Sequence, residues 1–251
     1  MQDRSAGMSP MALARIAGLL YLVIFVMAPF AEFFVREGLI VAGDATTTAA
    51  NIRESEGLFR AGFFTDLIVF VIEVAQAAIL YVLLAPVSRP LALVMSFARL
   101  AQATILGLNL LNMYTGLQLL TAPEYAAAFG AGQVETLAFV FLRAQSFGYE
   151  LGLVFFALHL FALGYLVYRS GFLPRFLGVL LVVSGLGYLA NSFAVFVVPD
   201  LTETMAMVVI VAALIGELPL TLWLLIKGVN AERWRDRAVA PTLTAPATGA
   251  V

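Results

Sequence analysis

Long apolar runs separated by short polar breaks are the main pattern of this chain. Six runs have the roughly 20 residues that a helix needs to cross the hydrocarbon core of a bilayer. The breaks are rich in Pro, Gly and charged residues, as in "APVSRP" at 85–90 and "RSGFLPR" at 169–175, which is typical of turns. The pattern predicts an all-α fold, a polytopic transmembrane helical bundle with six spans at 12–35, 61–85, 90–119, 147–168, 174–198 and 205–227.

The charges in the breaks predict the orientation of the bundle. Basic residues are concentrated in alternate breaks and near both chain ends, and acids in the breaks between them. Because cytoplasmic loops carry an excess of Lys and Arg, the sequence predicts both termini in the cytoplasm. No long linker divides the chain. We therefore expect a cytoplasmic segment at 1–11, one transmembrane domain at 12–230 and a disordered cytoplasmic tail at 231–251.

The break between the first two spans is longer than most and has its own helical pattern. It reads "GDATTTAANIRESEGLFR" at 43–60, where Asp44 is a good N-cap and helix-forming residues follow up to Gly57. We predict a short extracytoplasmic helix that lies on the membrane or forms a lid on the bundle. An ordinary polar connector is the alternative.

The composition fits a bilayer and excludes several classes of site. The chain is 62% hydrophobic and 12% charged, with a mean hydropathy of +0.98, far from a soluble domain. A net charge of −2 gives no reason to expect nucleic acid as a partner. Without cysteine and with His159 as the single histidine, the chain lacks the ligands of a usual zinc site. We expect no metal and no cofactor.

Four ionisable residues fall deep inside predicted spans. Glu73, in "FVIEVAQAAILY" at 70–81, lies near mid-span, as do Glu217 and His159, and Arg99 lies in the inner half of the third span. A charge that faces lipid at this depth costs at least about 2.5–3.5 kcal/mol. We therefore expect the four side chains to face one another or a wet cavity, and Glu73–Arg99 and Glu217–Arg99 are the ion pairs to test first. One arginine cannot neutralise two carboxylates, so the other glutamate should be protonated or should hold His159 in its charged form.

A second layer of polar residues lies further out along the same spans. Asp66 precedes Glu73 by seven residues, and the third span carries polar residues at steps of three and seven. A polar funnel that opens to the outside would accommodate both layers. The candidate ligand-binding or proton-exchanging residues are Glu73, Arg99, Glu217, His159, Asp66, Gln76, Asn109, Asn112 and Glu150.

Two of these features have a structural and a functional interpretation. His159 lies on the opposite face of its span from Glu150, so it either forms a hydrogen bond to a neighbouring helix or belongs to the site. Pro219 follows Glu217 by two and frees the carbonyl of Ile215. The result is either an opened stretch that lines a cavity or a kink needed for packing.

Several stretches resemble one bacterial membrane-protein family. They are "RIAGLLYLV", "GDATTTAANI", "LFRAGFFTDL", "LYVLLAPVSRPLALV", "ARLAQATILGLNLL" and "LPRFLGVLLVVSGLGYL". Together they resemble the family known as domain of unknown function 4386, over about residues 12–230. The resemblance implies a polytopic protein of the bacterial inner membrane and implies no activity. It also implies that Asp44, Arg60, Asp66, Arg99 and the stretch "GELPLTLW" recur in the family.

Three hypotheses about function remain open at this point. The favoured one is a protein that binds or carries a small amphiphilic or lipid-like ligand in a polar intramembrane cavity, in a proton-linked manner. Six spans are few for a secondary transporter, so the carrier hypothesis includes a homodimer. The second is a membrane-embedded enzyme that uses paired Glu residues for acid/base isomerisation or cyclisation of a lipophilic substrate. The third is an accessory membrane subunit whose polar core specifies assembly.

Overall fold

The computed structural model describes residues 8–239, and all regular structure among them is helical. We number the helices in chain order. They are α1 (Pro10–Leu39), α2 (Ala45–Glu54), α3 (Glu56–Leu84), α4 (Arg89–Thr121), α5 (Pro123–Phe129), α6 (Ala131–Ser170), α7 (Arg175–Val197), α8 and α9 (Ala231–Val239). Helix α8 has three consecutive segments, Thr202–Ala212, Ala213–Glu217 and Leu218–Ile226.

Six of the helices in the described chain are long and apolar enough to cross a membrane. They are α1, α3, α4, α6, α7 and, within α8, Met207–Ile226. Each packs against the next, α1 on α3, α3 on α4, α4 on α6, α6 on α7 and α7 on α8, and α8 packs back on α1. The predicted all-α bundle of six spans is thus confirmed. Because the ring is closed, every spanning helix contributes one face to a shared interior.

The two ends of the bundle are built differently. One end of the bundle carries α9, and we call it the terminal end. Helix α9 lies across the turns there, where Trp234 Nε1 donates to Leu83 O at 2.8 Å and Asn230 N donates to Phe172 O at 3.1 Å. Helices α2 and α5 lie at the opposite end, the lid end. The predicted disordered tail at 231–251 needs correction, since Ala231–Val239 is helical. Asn230 caps this helix by accepting from Arg233 N, and residues 240–251 lie outside the described part of the chain.

The short helix predicted between the first two spans is present as α2. Asp44 caps it by accepting from Thr47 N at 2.9 Å and Thr47 Oγ1 at 2.6 Å. Its inner face is buried against α4 and α6. Arg53 Nε donates to Leu120 O at 3.1 Å, and Arg53 Nη1 pairs with Glu135 Oε1 at 2.7 Å. These contacts favour the lid over a plain connector.

Helix α6 is much longer than the fourth span predicted at 147–168. It begins at Ala131, has 40 residues and so extends about 60 Å, twice the roughly 30 Å hydrocarbon core. The preceding break, expected to be a turn, holds the short helix α5, because Pro123 at its start and three alanines in it favour helix. Gly130 separates the two with φ +83°, a conformation that favours glycine. The lid-end extension of α6 supports α2.

Two spanning helices contain a widened, π-helical turn. One is Phe30–Arg36 in α1, directly after Pro29, and the other is Ala213–Glu217 in α8, just before Pro219. In α8, Pro219 lacks an amide hydrogen and blocks the normal helical hydrogen bond to the carbonyl of Ile215, which accounts for the disturbed ladder there. Such turns occur often at functional sites. Here both turns carry an acidic residue, Glu32 in one and Glu217 in the other.

The core consists of two apolar clusters with a polar layer between them. On α3 and α4, Leu80 and Met95 belong to the cluster at the terminal end, and Phe70 and Leu106 belong to the cluster at the lid end. Glu73 and Gln76 of α3 and Arg99 and Gln102 of α4 lie between those positions. Tyr149 of α6 packs against both clusters.

Candidate functional site

A group of polar side chains fills the middle of the ring, and we call it the central cluster. Every spanning helix contributes at least one member. All members are buried, with at most 7% of the surface exposed. They are Tyr21 from α1, Glu73 and Gln76 from α3, Arg99 and Gln102 from α4, His159 from α6, Tyr188 from α7 and Glu217 from α8.

Arg99 lies at the centre of this cluster and is 1% exposed. Its Nη2 is 3.4 Å from Glu73 Oε1 and donates to Gln76 Oε1 at 3.0 Å. Its Nη1 donates to Gln102 Oε1 at 3.1 Å. The guanidinium also lies over the Phe156 ring, 4.6 Å from the ring centroid. The predicted Glu73–Arg99 pair is therefore present, and two amides and an aromatic face share the charge.

Glu217 and His159 have partners other than those predicted. Tyr188 OH donates to Glu217 Oε1 at 2.7 Å, and within residues 8–239 Glu217 forms no ion pair with Arg99. The predicted Glu217–Arg99 pair is thus wrong, because a neighbouring phenol on α7 occupies the carboxylate. His159 Nδ1 is 2.9 Å from Met95 O, and its ring stacks on Phe156 with centroids 5.9 Å apart. No carboxylate among the described residues pairs with His159, so the structure does not support the alternative in which a glutamate holds His159 in its charged form.

Five buried polar atoms of the central cluster have no hydrogen-bond partner in the described chain. More than 90% of buried polar groups in proteins are hydrogen bonded, so a group of exceptions in one place marks a special site. The group contains donors, an acceptor and atoms that can act as either. The atoms are Tyr21 OH, Glu73 Oε2, Gln76 Nε2, Arg99 Nε and His159 Nε2.

A second polar group, the outer cluster, lies toward the lid end and consists of Glu32, Arg36, Asp66 and Tyr149. Arg36 forms ion pairs with Asp66 and with Glu32, the latter at 2.7 Å, and lies 5.4 Å from the centroid of the Tyr149 ring. Glu32 is 38% exposed at its side chain, whereas Asp66 is 3% exposed. The outer cluster thus runs from the surface to the buried face of α3 that also carries Glu73.

Comparison with known protein families gives a match over most of the chain. The family model described as "Domain of unknown function (DUF4386)" matches residues 16–228. The chain belongs to the DUF4386 family. The matched range contains every residue of the central and outer clusters. An uncharacterised protein of Archaeoglobus fulgidus is 29% identical over 161 residues, which are 64% of this chain and 80% of that protein. No solved structure matches the chain significantly.

In this DUF4386 protein the nine candidate residues fall into three places. Five lie in the central cluster and Asp66 lies in the outer cluster. The other three contact a neighbouring helix or one another. Asn109 Nδ2 donates to Gln145 O at 2.7 Å, Asn112 Nδ2 donates to Asn109 Oδ1 at 2.9 Å, and Glu150 Oε2 accepts from Asn191 Nδ2 at 2.8 Å. These three have partners and lie apart from the central cluster.

Six members of the two clusters were not among the candidates predicted from the sequence. They are Tyr21, Gln102 and Tyr188 of the central cluster and Glu32, Arg36 and Tyr149 of the outer cluster. Tyr21 and Tyr188 were overlooked because tyrosine in a span is usually ascribed to the membrane interface. Their position near the middle of a span was the available signal. Arg36 and Tyr149 were also missed as site residues, although Arg36 follows Glu32 by one helical turn, a spacing that suits an ion pair.

The predicted polar funnel is not open in the described chain. The apolar cluster that includes Val35, Phe59 and Leu110 lies between the central cluster and the lid end, and α2 covers that end. Two pockets, of about 380 and 540 Å³, lie elsewhere, one at the terminal end and one on the outer face of α7. The central cluster of this DUF4386 protein is therefore enclosed.

The clusters lack the make-up of a metal centre. Within the described residues there is no group of three His, Cys, Asp or Glu side chains that could hold a metal ion. The chemistry that the central cluster offers is hydrogen bonding, charge and proton exchange.

Proposed function

We propose that this protein binds a small amphiphilic molecule within the membrane, at the central cluster. The observation that supports the proposal is the set of five buried polar atoms without partners, contributed by α1, α3, α4 and α6. A network that only held helices together would be expected to satisfy its own members, since an unpaired buried group costs about 1–3 kcal/mol.

The free atoms define the chemistry of the polar part of this molecule. Arg99 Nε and Gln76 Nε2 are donors, which suits an anionic or carbonyl oxygen. Glu73 Oε2 is an acceptor when ionised and suits a hydroxyl or amine on the same head group. The apolar clusters on both sides of the polar layer would contact the apolar part of the molecule. The proposed ligand is therefore small, with acceptor and donor groups close together.

We further propose that the bound molecule is carried across the membrane in exchange with protons. Glu73 on α3 and Glu217 on α8 are acids on the two helices that flank α1 in the closed ring. The outer cluster extends from Glu73 toward the surface through Asp66 and Glu32. In this proposal both termini are cytoplasmic, the protein lies in the bacterial inner membrane, and it works as a homodimer because six spans are few for a carrier.

The test is native mass spectrometry combined with lipidomics on protein purified from its membrane. Wild type is compared with Glu73→Gln, which keeps the shape of the side chain and removes the ionisable oxygen. Glu150→Gln is the matched control, because it makes the same change in a carboxylate whose partners, Asn191 and Ser192, lie outside the central cluster. The mass of the intact complex also reports whether the protein is a dimer.

We expect wild type and Glu150→Gln to retain one small molecule that Glu73→Gln loses. Equal sets of bulk lipids on all three proteins would contradict the proposal. A retained molecule that is chemically altered during incubation would favour the enzyme instead. A protein partner that copurifies, with no small molecule, would favour the accessory subunit.

A further inference from the structure

A second site lies at the terminal end of the bundle, away from the central cluster. It is a pocket of about 380 Å³ between the turn that joins α6 to α7 and the elbow that joins α8 to α9. Glycines at both turns, Gly171 and Gly228, have positive φ values of 76° and 66°, so the chain reverses sharply on each side of the pocket. Lys227 and Arg233 line it together with Trp223 and Asn230.

The charge of this pocket is positive and uncompensated. Its lining includes two cations and no carboxylate. Neither Lys227 nor Arg233 forms an ion pair within residues 8–239. Arg233 Nη1 donates to Gly171 O at 3.2 Å, which holds the guanidinium at the pocket. The other N–H groups of the guanidinium take no part in that hydrogen bond. The pocket therefore suits an anion with several acceptor oxygens, such as a phosphate group.

The pocket lies at the boundary between the apolar spans and the polar end of the bundle. The apolar span Met207–Ile226 ends just before Lys227, and Arg175–Val197 begins just after Pro174. Trp223 packs edge-to-face on Phe176 with centroids 6.2 Å apart, and tryptophan is enriched at the level of lipid head groups.

Exposed apolar side chains continue from the pocket along the spans. Phe176, Leu222 and Ile226 are 53%, 42% and 64% exposed. A cationic pocket at head-group depth above an apolar surface fits a molecule with a phosphate head and hydrocarbon chains. We propose that this pocket binds the phosphate head group of an anionic phospholipid, with the acyl chains along Phe176, Leu222 and Ile226. This proposal does not depend on the function proposed for the central cluster.

The experiment titrates the full-length protein, freed of lipid in a neutral detergent, with phosphatidylglycerol or phosphatidylcholine and counts bound lipid by native mass spectrometry. The variant is Lys227→Gln with Arg233→Gln, and both side chains are exposed, so folding should survive the change. The matched control is Arg89→Gln with Arg169→Gln, two exposed cations at the same end that do not line the pocket. Size-exclusion profiles of both double variants check the fold.

We expect wild type to bind one phosphatidylglycerol more tightly than phosphatidylcholine. The pocket variant should weaken that binding by about 25-fold, about fivefold for each cation, and the control should not. Equal affinity for the two lipids would overturn the proposal, as would the same loss in the control, which would indicate a diffuse charge effect. Displacement of the lipid by inorganic phosphate would assign the pocket to a soluble phosphate and would also overturn the proposal.

Discussion

Arg99 carries its charge in the middle of six helices, where it is buried. Burying such an ion costs several kcal/mol even after relaxation. Oxygens of Glu73, Gln76 and Gln102 and the ring of Phe156 offset that cost. The amides matter because they satisfy donors of the guanidinium that a single carboxylate at 3.4 Å cannot reach.

Removal of the arginine charge should lower the free energy of unfolding, because the buried carboxylate of Glu73 depends on that charge. We expect Arg99→Gln to lower the free energy of unfolding by about 3–5 kcal/mol, since it leaves a buried carboxylate without its cation. The double variant Arg99→Gln with Glu73→Gln should recover part of the loss. Unfolding in mixed detergent measures both. Strictly additive losses would show that the two side chains do not interact.

Two tyrosines of the central cluster should respond in opposite directions to loss of the hydroxyl. Tyr188→Phe removes the donor to Glu217 and should cost about 1–2 kcal/mol of unfolding free energy. Tyr21→Phe removes a buried hydroxyl without a partner in the described chain, so ligand-free protein should be as stable or more stable. Thermal unfolding of delipidated protein measures both, and a loss at Tyr21 as large as that at Tyr188 would contradict this.

At the scale of an element, the lid helix α2 depends on the cap at Asp44. The side-chain and backbone hydrogen bonds from Thr47 lower the pKa of Asp44 below its usual value. The pKa of Asp44 is lower in the folded state than in the unfolded state. The contribution of the cap to the stability of α2 is therefore complete above about pH 4, and it is lost as the pH falls through the folded-state pKa.

We therefore expect the amides of Ala45–Glu54 to lose protection below about pH 4. Hydrogen exchange, corrected for the intrinsic rate at each pH, measures this. Asp44→Asn is the control, because asparagine caps a helix without titrating. If the Asn variant loses protection over the same pH range, another group must be responsible.

The contact between α6 and α7 depends on close backbone approach. A Cβ at Gly178 would collide with the backbone at Gly164 and at Tyr168. We expect Gly178→Ala to push the helices apart and to cost about 1–3 kcal/mol. Gly107→Ala, on α4 with no atom within 4 Å of the new Cβ, should be neutral or stabilising. Resistance to unfolding by detergent compares the two, and equal losses would contradict this account.

At the scale of the whole molecule, the pattern of apolar runs was enough to predict six spans. The cap at Asp44 and the helix-forming residues after it were enough to predict a short helix between the first two spans. Depth along each span was enough to predict that Glu73 and Arg99 meet. The partner of Glu217 could not be predicted, because it depends on which helices become neighbours when the ring closes, which brings Tyr188 of α7 against α8. The closed lid end also depends on the extension of α6, whose polar start, "AGQVET" at 131–136, looks like a connector in sequence.

The orientation of the molecule can be tested with single cysteines, since the native chain has none. We expect Ala50→Cys, exposed on the lid helix, to react with a membrane-impermeant maleimide in intact cells. Glu232→Cys, exposed on α9, should react only after the membrane is permeabilised. The reverse pattern would show that the lid faces the cytoplasm.

If the polar atoms of the central cluster that lack partners in the described chain bind a small molecule, Tyr21→Phe should remove one of the contacts to it. The measurement is the amount of small molecule retained per protein chain by native mass spectrometry, for wild type and Tyr21→Phe purified in the same way. We expect a clear loss of the retained molecule in Tyr21→Phe, although this variant is not less stable than wild type when both are ligand-free. Unchanged retention of the small molecule together with a higher melting temperature would contradict the proposal, because the Tyr21 hydroxyl would then only destabilise the folded protein.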